Sequence, residues 1–158
     1  MKKHNPYTNF GLVPRELALS VSGLDLLLQT LDRQHPAPPF GHTTDIWLTE
    51  AELGAVTFAA VPSATYYNPM GTIHGGWTSM LLDTAMACAI QSRLAAGQAY
   101  TTLEIKVNFV RPIFESTGKL TCKATLLHFG SRTATSEGKV FDAAGNLLAH
   151  GTETGLIL

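Results

Sequence analysis

The residues best suited to chemistry lie in one segment, Asn68-Pro69-Met70-Gly71-Thr72-Ile73-His74-Gly75-Gly76, and a single carboxylate, Asp83, follows seven residues later. Two glycines at the start of a helix leave backbone N–H groups without intrahelical partners, and the helix dipole adds partial positive charge there. With no Cβ in the way, a ligand oxygen can come close to that backbone. Such a place suits an anion, or the oxyanion of an acyl-transfer intermediate. His74 adjoins it, and Asn68 can offer an amide from the loop leading in. Helical spacing puts Gly76, Ser79, Asp83, Met86, Ala87 and Ile90 near one face, so Asp83 emerges among small and apolar neighbours. A lone carboxylate there is costly unless hydrogen-bonded, and desolvation raises its pKa toward that of a working base. Taken singly, Asp83 reads as a satisfied buried carboxylate, and His74-Gly75-Gly76 as a turn that starts a helix. Together they point to a site.

Geometry constrains that site. Asp83 lies eight residues beyond Gly75, about 12 Å along one helix at 1.5 Å per residue. Groups acting on one carbonyl must come within roughly 3 Å of the reacting atoms. If both act on one substrate, Asp83 must come from a neighbouring subunit whose helix packs antiparallel. The expectation is a dimer with two shared sites.

The elements that position these residues read as α+β. Residues 75–95 form a helix that is apolar almost all round, which marks it as buried. After it, Leu103, Ile105, Val107 and Phe109 alternate with Glu104, Lys106 and Asn108, the pattern of a half-buried strand. Leu120, Cys122, Ala124 and Leu126 give another, and strands near 132–141 and 147–157 follow. Turns at 129–131 and 142–146 join them into an antiparallel sheet. Two more strands are expected near 43–50 and 54–61. Upstream, Pro14 and the spacing of Leu17, Val21, Leu24, Leu28 and Leu31 predict an amphipathic helix over 14–33, ended by a linker at 34–41. The economical architecture is one long helix wrapped by a curved sheet, with its remaining apolar side covered by a second subunit.

Composition excludes several classes. Only 15% of the 158 residues are Asp, Glu, Lys or Arg, against about 25% in ordinary domains. The deficit is local: from Leu53 through Ser92, Asp83 is the only one of them. Pro62, Asn68, Pro69 and His74 interrupt that tract before a membrane span can build up. Eleven basic and twelve acidic residues, with a net charge of −1, lack the basic face that a general nucleic-acid or anionic-membrane binder needs. Cys88 and Cys122 sit in apolar contexts without Cys-x-x-Cys spacing and read as buried free thiols. Lys2 and Lys3 precede no apolar run, so a secretory leader is not expected and the cytoplasm is the default compartment. His4, His35 and His42 read as solvated, and His128 and His150 as structural. Trp77, Tyr66 and Tyr67 serve either an acyl pocket or core packing.

The pattern Asn68-x-x-Gly71-x-x-His74-Gly75-Gly76 followed by Asp83 resembles the signature of hotdog-fold acyl-CoA thioesterases of the phenylacetate-pathway (PaaI-like) type. The similarity runs from about Thr43 to the C-terminus. It includes the strand Thr102–Phe109 with Val110-Arg111-Pro112, and Gly130-Ser131-Arg132-Thr133. The resemblance implies a division into an N-terminal helical extension and linker (1–42) and a hotdog domain (43–158). It implies that Asp83 activates water, or attacks directly, at the thioester carbon, and that the Gly75 N–H receives the oxyanion with His74 buttressing the loop. Asn68 would hold the water or carbonyl, and Thr102 would place a hydroxyl near the nucleophile. Gly76 belongs to the substrate-binding turn. Arg111 and Arg132 are candidates for coenzyme A phosphates, or else solvated sheet-edge charges. The family further implies a homotetramer built from two dimers, with no metal or redox cofactor, coenzyme A entering only as part of the substrate.

No Gly-x-Ser-x-Gly elbow, Walker loop, Gly-x-Gly-x-x-Gly or zinc-spaced His/Cys set is present in the sequence. A hydrolase without those devices needs an activated carboxylate and an electrophile less resonance-stabilised than an ester or amide, which a thioester is. Two rivals remain at this stage: a hotdog enoyl-thioester hydratase or dehydratase, and a non-catalytic acyl-CoA-binding module.

Overall fold

The computed structural model describes residues 4–158, so the basic opening Met1-Lys2-Lys3 lies outside the described residues. Six strands form one antiparallel sheet: β1 (Ile46–Glu52), β2 (Ala55–Ala60), β3 (Tyr100–Phe109), β4 (Leu120–Phe129), β5 (Thr133–Phe141) and β6 (Leu147–Ile157). Their spatial order is β1-β2-β4-β5-β6-β3. Three short N-terminal helices, α1 (Arg15–Ser20), α2 (Gly23–Leu31) and α3 (Phe40–Thr44), precede the sheet, and α4 (Gly75–Gln91) lies between β2 and β3 in the chain. The architecture is the α+β hotdog arrangement, a long helix held in the curve of an antiparallel sheet.

Helix α4 packs against β2, β3, β4, β5 and β6. Its Leu81, Leu82, Ala85, Met86, Ala89 and Ile90 are fully enclosed, as are Leu120, Cys122 and Val140 of the sheet facing it. Glycines let the two surfaces meet. A Cβ at Gly138 would lie 2.9 Å from Met86 Cγ, and one at Gly155 would lie 3.1 Å from Ile90 Cδ1. Removing that many apolar side chains from water is what holds the helix against the sheet, at about 1.5–3 kcal/mol for each large one.

Three departures from the sequence expectation concern the longer helices and β3. The helix expected over 14–33 is two helices. Ser22 caps the second one, its Oγ accepting from Asp25 N at 3.1 Å, and Gly23 abuts α4 so closely that a Cβ would sit 1.8 Å from the Gln91 carbonyl oxygen. Close approach to α4 therefore breaks the periodic run at a residue with no side chain. Helix α4 stops at Gln91 rather than near 95, because Ser92 turns its hydroxyl back to the Ala89 carbonyl (2.8 Å) and accepts from Gly54 N (2.8 Å).

The third departure is in β3. Leu103 and Phe109 are 58% and 57% exposed rather than half-buried with Ile105 and Val107. A β-bulge between Thr102 and Glu104, opposite Gly155 and Thr154 of β6, shifts the alternation by one residue and turns Leu103 outward. Tyr100 and Thr102 face inward before it, and Ile105 and Val107 after it. Phe109 ends the strand beside the first residue of α4 and is left exposed there.

The N-terminal segment is tied down rather than free. Asp45 accepts from Asn5 N (2.8 Å) and meets His4 Nδ1 at 3.1 Å, and His35 Nε2 meets Gln29 Oε1 at 2.9 Å. His42 stands edge-on to Phe10. His4 and His42 are exposed, as expected, and His35 is half-buried; all three nevertheless contact the folded chain. The expected linker carries a parallel bridge between Ala37 and Phe10 and ends in α3. The segment encloses an apolar cavity of ≈ 260 Å³ against β1 and the Thr84–Cys88–Gln91 side of α4.

Candidate active site

The start of α4 is built as the sequence suggests, with one refinement. His74 is the N-cap, its backbone extended, and its Nδ1 accepts from Gly76 N at 3.0 Å. Nδ1 is therefore unprotonated in this arrangement, and the Gly76 N–H is committed to the cap. Among the described residues the Gly75 N–H has no acceptor, which leaves it as the free donor of the pair. It opens on a cleft of ≈ 430 Å³ lined by Asn68, Thr72, Gly75, Phe109, Arg111 and Ile113. Phe109 lies so close that a Cβ at position 75 would meet its ring at 2.9 Å.

Asn68 shapes the loop that reaches this cleft. Its Oδ1 accepts from Met70 N (2.9 Å) and Thr72 N (3.3 Å), and its Nδ2 donates to Thr72 Oγ1 (3.0 Å). Gly71, at φ 77°, takes the left-handed conformation that the turn requires. The side chain is thus half-buried and engaged, and it presents its amide at the wall of the cleft.

Asp83 lies two turns further along the same helix, half-buried. Burial raises its pKa above the ordinary carboxylate value, and the Thr102 hydroxyl counteracts part of that. Thr102 Oγ1 stands 3.4 Å from Asp83 Oδ1, on the inward side of the strand just before the bulge. The structure thus joins Asp83 to Thr102, and Asn68 and Arg111 to Gly75, but keeps these two groups apart within one chain.

One residue was missed. Glu153 of β6 is 1% exposed, and its Oε1 is 3.0 Å from the same Thr102 Oγ1. Burial pushes its pKa up to about 7, with a smaller upward push from Asp83, against the Thr102 hydrogen bond that lowers it. The signal was available. Ala149, Gly151, Glu153 and Gly155 form the inward row of β6, so the glutamate stands where the pattern otherwise offers small residues. Cys88, whose thiol is pushed up to about 12 by burial and by the nearby Glu153 and Asp83 carboxylates, completes the surroundings with Tyr100. Among the described residues, no group of three His, Cys, Asp or Glu is placed to hold a metal ion.

The two candidate phosphate-binding arginines are far apart. Arg111 lines the Gly75 cleft and donates to the Leu147 carbonyl at the start of β6 (2.5 Å). The Arg132 carbonyl accepts from Ile157 N at the other end of the same strand (2.8 Å). Nearly the full length of β6 separates them, about 30 Å at ~3.3 Å per residue. Trp77 is core, its Nε1 donating to the Thr44 carbonyl (3.0 Å) and its ring stacked on Tyr66. The Tyr67 hydroxyl accepts from Glu115 N (3.0 Å).

A family model described as the thioesterase superfamily matches residues 70–149. A Pasteurella multocida protein named as an esterase is 31% identical over 124 residues, 78% of this chain and 82% of its own. The chain belongs to the thioesterase superfamily.

Solved structures agree on the fold. A phenylacetic acid degradation-related protein of Ralstonia eutropha superposes with a TM-score of 0.75 at 24% identity, covering 82% of this chain and 98% of that one. The E. coli PaaI protein from the phenylacetic acid degradation operon gives 0.75 at 22% identity, with 87% and 96% covered. The phenylacetic acid degradation protein PaaI of Thermus thermophilus, solved as a mutant, gives 0.67 at 27% identity, with 75% and 97% covered. The segment matched by the superfamily model holds His74, Gly75, Gly76, Asp83, Thr102, Arg111 and Arg132. Asn68 precedes it and Glu153 follows it. No helix of the described residues is long and apolar enough to cross a membrane.

Proposed function

We propose that this thioesterase-superfamily protein hydrolyses an acyl-CoA thioester at sites shared between two subunits. The observation that carries the reading is the pairing, on one helix, of a free Gly75 N–H with a half-buried carboxylate, Asp83, whose pKa burial has raised. Asp83 drives the attack on the thioester carbon, through a water that it deprotonates or with its own oxygen. The carbonyl oxygen gains negative charge as the tetrahedral intermediate forms, and the Gly75 N–H of the neighbouring subunit meets it. Collapse breaks the carbon–sulfur bond and the thiolate leaves. When water attacks, the proton that Asp83 took from it passes to the thiolate and the free acid remains. When Asp83 itself attacks, the acyl group stays on its oxygen as a mixed anhydride until a water hydrolyses it, releasing the free acid, regenerating the carboxylate and supplying the proton for the thiolate. His74 holds the oxyanion turn by capping it, and Asn68 orients water or carbonyl at the cleft wall.

Exposed surface supports the shared-site assembly. Strand β3 is an edge of the sheet, with Leu103 and Phe109 more than half exposed, and Met80 is 40% exposed on the helix that carries Asp83. Pairing two such edges antiparallel brings one subunit's Asp83 toward the other's Gly75, and two dimers make the tetramer. Arg111 and Arg132 then serve one coenzyme A only if they come from different subunits. The N-terminal extension (1–42), whose described residues 4–42 are fastened to the rest of the chain, accompanies a 43–158 catalytic unit, working in the cytoplasm.

The test is thiol release from short, long and aromatic acyl-CoAs by the wild type, Asp83→Asn and Asp83→Ala. General acid–base catalysis contributes on the order of 10²–10⁴-fold, so kcat should fall by at least that range while sedimentation shows the assembly intact. Wild-type rates in Asp83→Asn, or a fully active monomer, would overturn the reading.

A further inference from the structure

The least expected group in the molecule is Glu153, a carboxyl 1% exposed on the inner face of the sheet. Its Oε1 meets Thr102 Oγ1 at 3.0 Å, and among the described residues its Oε2 has no hydrogen-bond partner. From α4, Asp83 and Cys88 face it; from β3, Tyr100 does. Its cross-strand neighbour on β5, Ser136, donates instead to the Met86 carbonyl (3.1 Å). None of these is a cation, and among the described residues Glu153 forms no ion pair.

The hydrogen count then decides the state of the cluster. Thr102 carries one hydroxyl hydrogen and stands between two carboxyl groups, 3.0 Å from one and 3.4 Å from the other. If both were ionised, one would lose its donor, and Glu153 would also leave a bare carboxylate oxygen in a dry site, which is expensive. If Glu153 holds a proton on Oε1, that proton goes to Thr102 Oγ1, the Thr102 hydrogen goes to Asp83, and Oε2 is an ordinary carbonyl oxygen. Every hydrogen then has an acceptor, and two like charges no longer face each other across one hydroxyl.

We infer that Glu153 is a positioning residue that acts as a neutral carboxyl donating to Thr102, so that the Thr102 hydroxyl holds the Asp83 carboxylate ionised and aimed at the substrate. The inference rests on the assignment of Asp83 as the attacking group. It adds a pH device to that group. When Glu153 ionises, it becomes an acceptor, takes the Thr102 hydrogen for itself and leaves Asp83 unheld. It also adds negative charge beside a reaction that develops more of it. Activity should therefore decline on the alkaline side as Glu153 loses its proton.

The experiment combines pH–rate profiles with infrared difference spectra of the full-length protein. Glu153→Gln keeps the shape and puts a permanent N–H₂ donor against Thr102. It should hold kcat within a few-fold of the wild type at pH 6 and lose the alkaline limb. Glu153→Leu should lower kcat at least tenfold at every pH with KM little changed. The wild-type minus Glu153→Gln spectrum should show a protonated-carboxyl carbonyl band that titrates with the alkaline limb. Identical pH profiles for wild type and Glu153→Gln, or no such band at pH 6, would overturn the inference. The band is read without turnover. Full activity of Asp83→Asn together with an intact band would therefore sink the catalytic assignment while leaving the protonation of Glu153 standing.

Discussion

Replacing Glu153 by Gln should change how folding stability depends on pH, and the size of that change follows from the burial. The carboxyl titrates near 4.5 in an unfolded chain and at about 7 in the folded one. A native pKa above the unfolded one means that the folded protein binds the proton more tightly. Its stabilising contribution is fully present below about pH 4.5 and is lost as the pH climbs through about 7. At about 1.36 kcal/mol per pKa unit, the wild type should lose roughly 3 kcal/mol between those limits relative to Glu153→Gln, which has nothing to titrate there. For a chain of this size that is roughly 6–12 °C in Tm. Asp83 is also raised and adds a loss of the same sign, but it is present in both proteins and largely cancels in their difference. The assay is urea unfolding of both proteins at fixed protein concentration, at several values between pH 4.5 and pH 8.5. Parallel stability curves would show that Glu153 is ionised throughout and would refute the desolvation argument.

Two further outcomes follow from packing and burial. Gly23→Ala places a Cβ 1.8 Å from the Gln91 carbonyl oxygen, so α2 must move off α4; overpacking of this kind costs about 1–3 kcal/mol, measurable as a lower urea midpoint. Both Cys88 and Cys122 have thiols pushed up to about 12 by burial. Neither should react with a thiol-specific disulfide reagent at pH 8 in the native protein, and both should react promptly in denaturant.

The chemistry-bearing segment was legible because it is local. A glycine pair after His74 marks a helix start whatever surrounds it, and the absence of other charges from Leu53 to Ser92 singles out Asp83 and announces the buried helix. Strands β4, β5 and β6 were legible for the same reason, since their side chains alternate with period two and their turns carry glycine, aspartate or asparagine. The misreading in β3 has a specific cause. Leu103, Ile105, Val107 and Phe109 keep perfect alternation in the sequence, and only the extra residue opposite β6 reveals that Leu103 points outward while Thr102 points in.

The sequence by itself determined the residue types and their order: the capped glycine turn, the one carboxylate on an apolar helix, and an alternating sheet to wrap it. Tertiary structure decided which of these meet. The bulge lets Thr102 face Asp83 on the same side as Ile105 and Val107, and strand pairing carries Glu153 from 51 residues away to within 3.0 Å of the same hydroxyl. Close packing on α4 splits the N-terminal helix at Gly23. The physical reason is common to all three. Backbone periodicity and capping are set by neighbours in the chain. Strand register, a shared hydrogen and the room for a Cβ are set by whatever the folded chain places across from them.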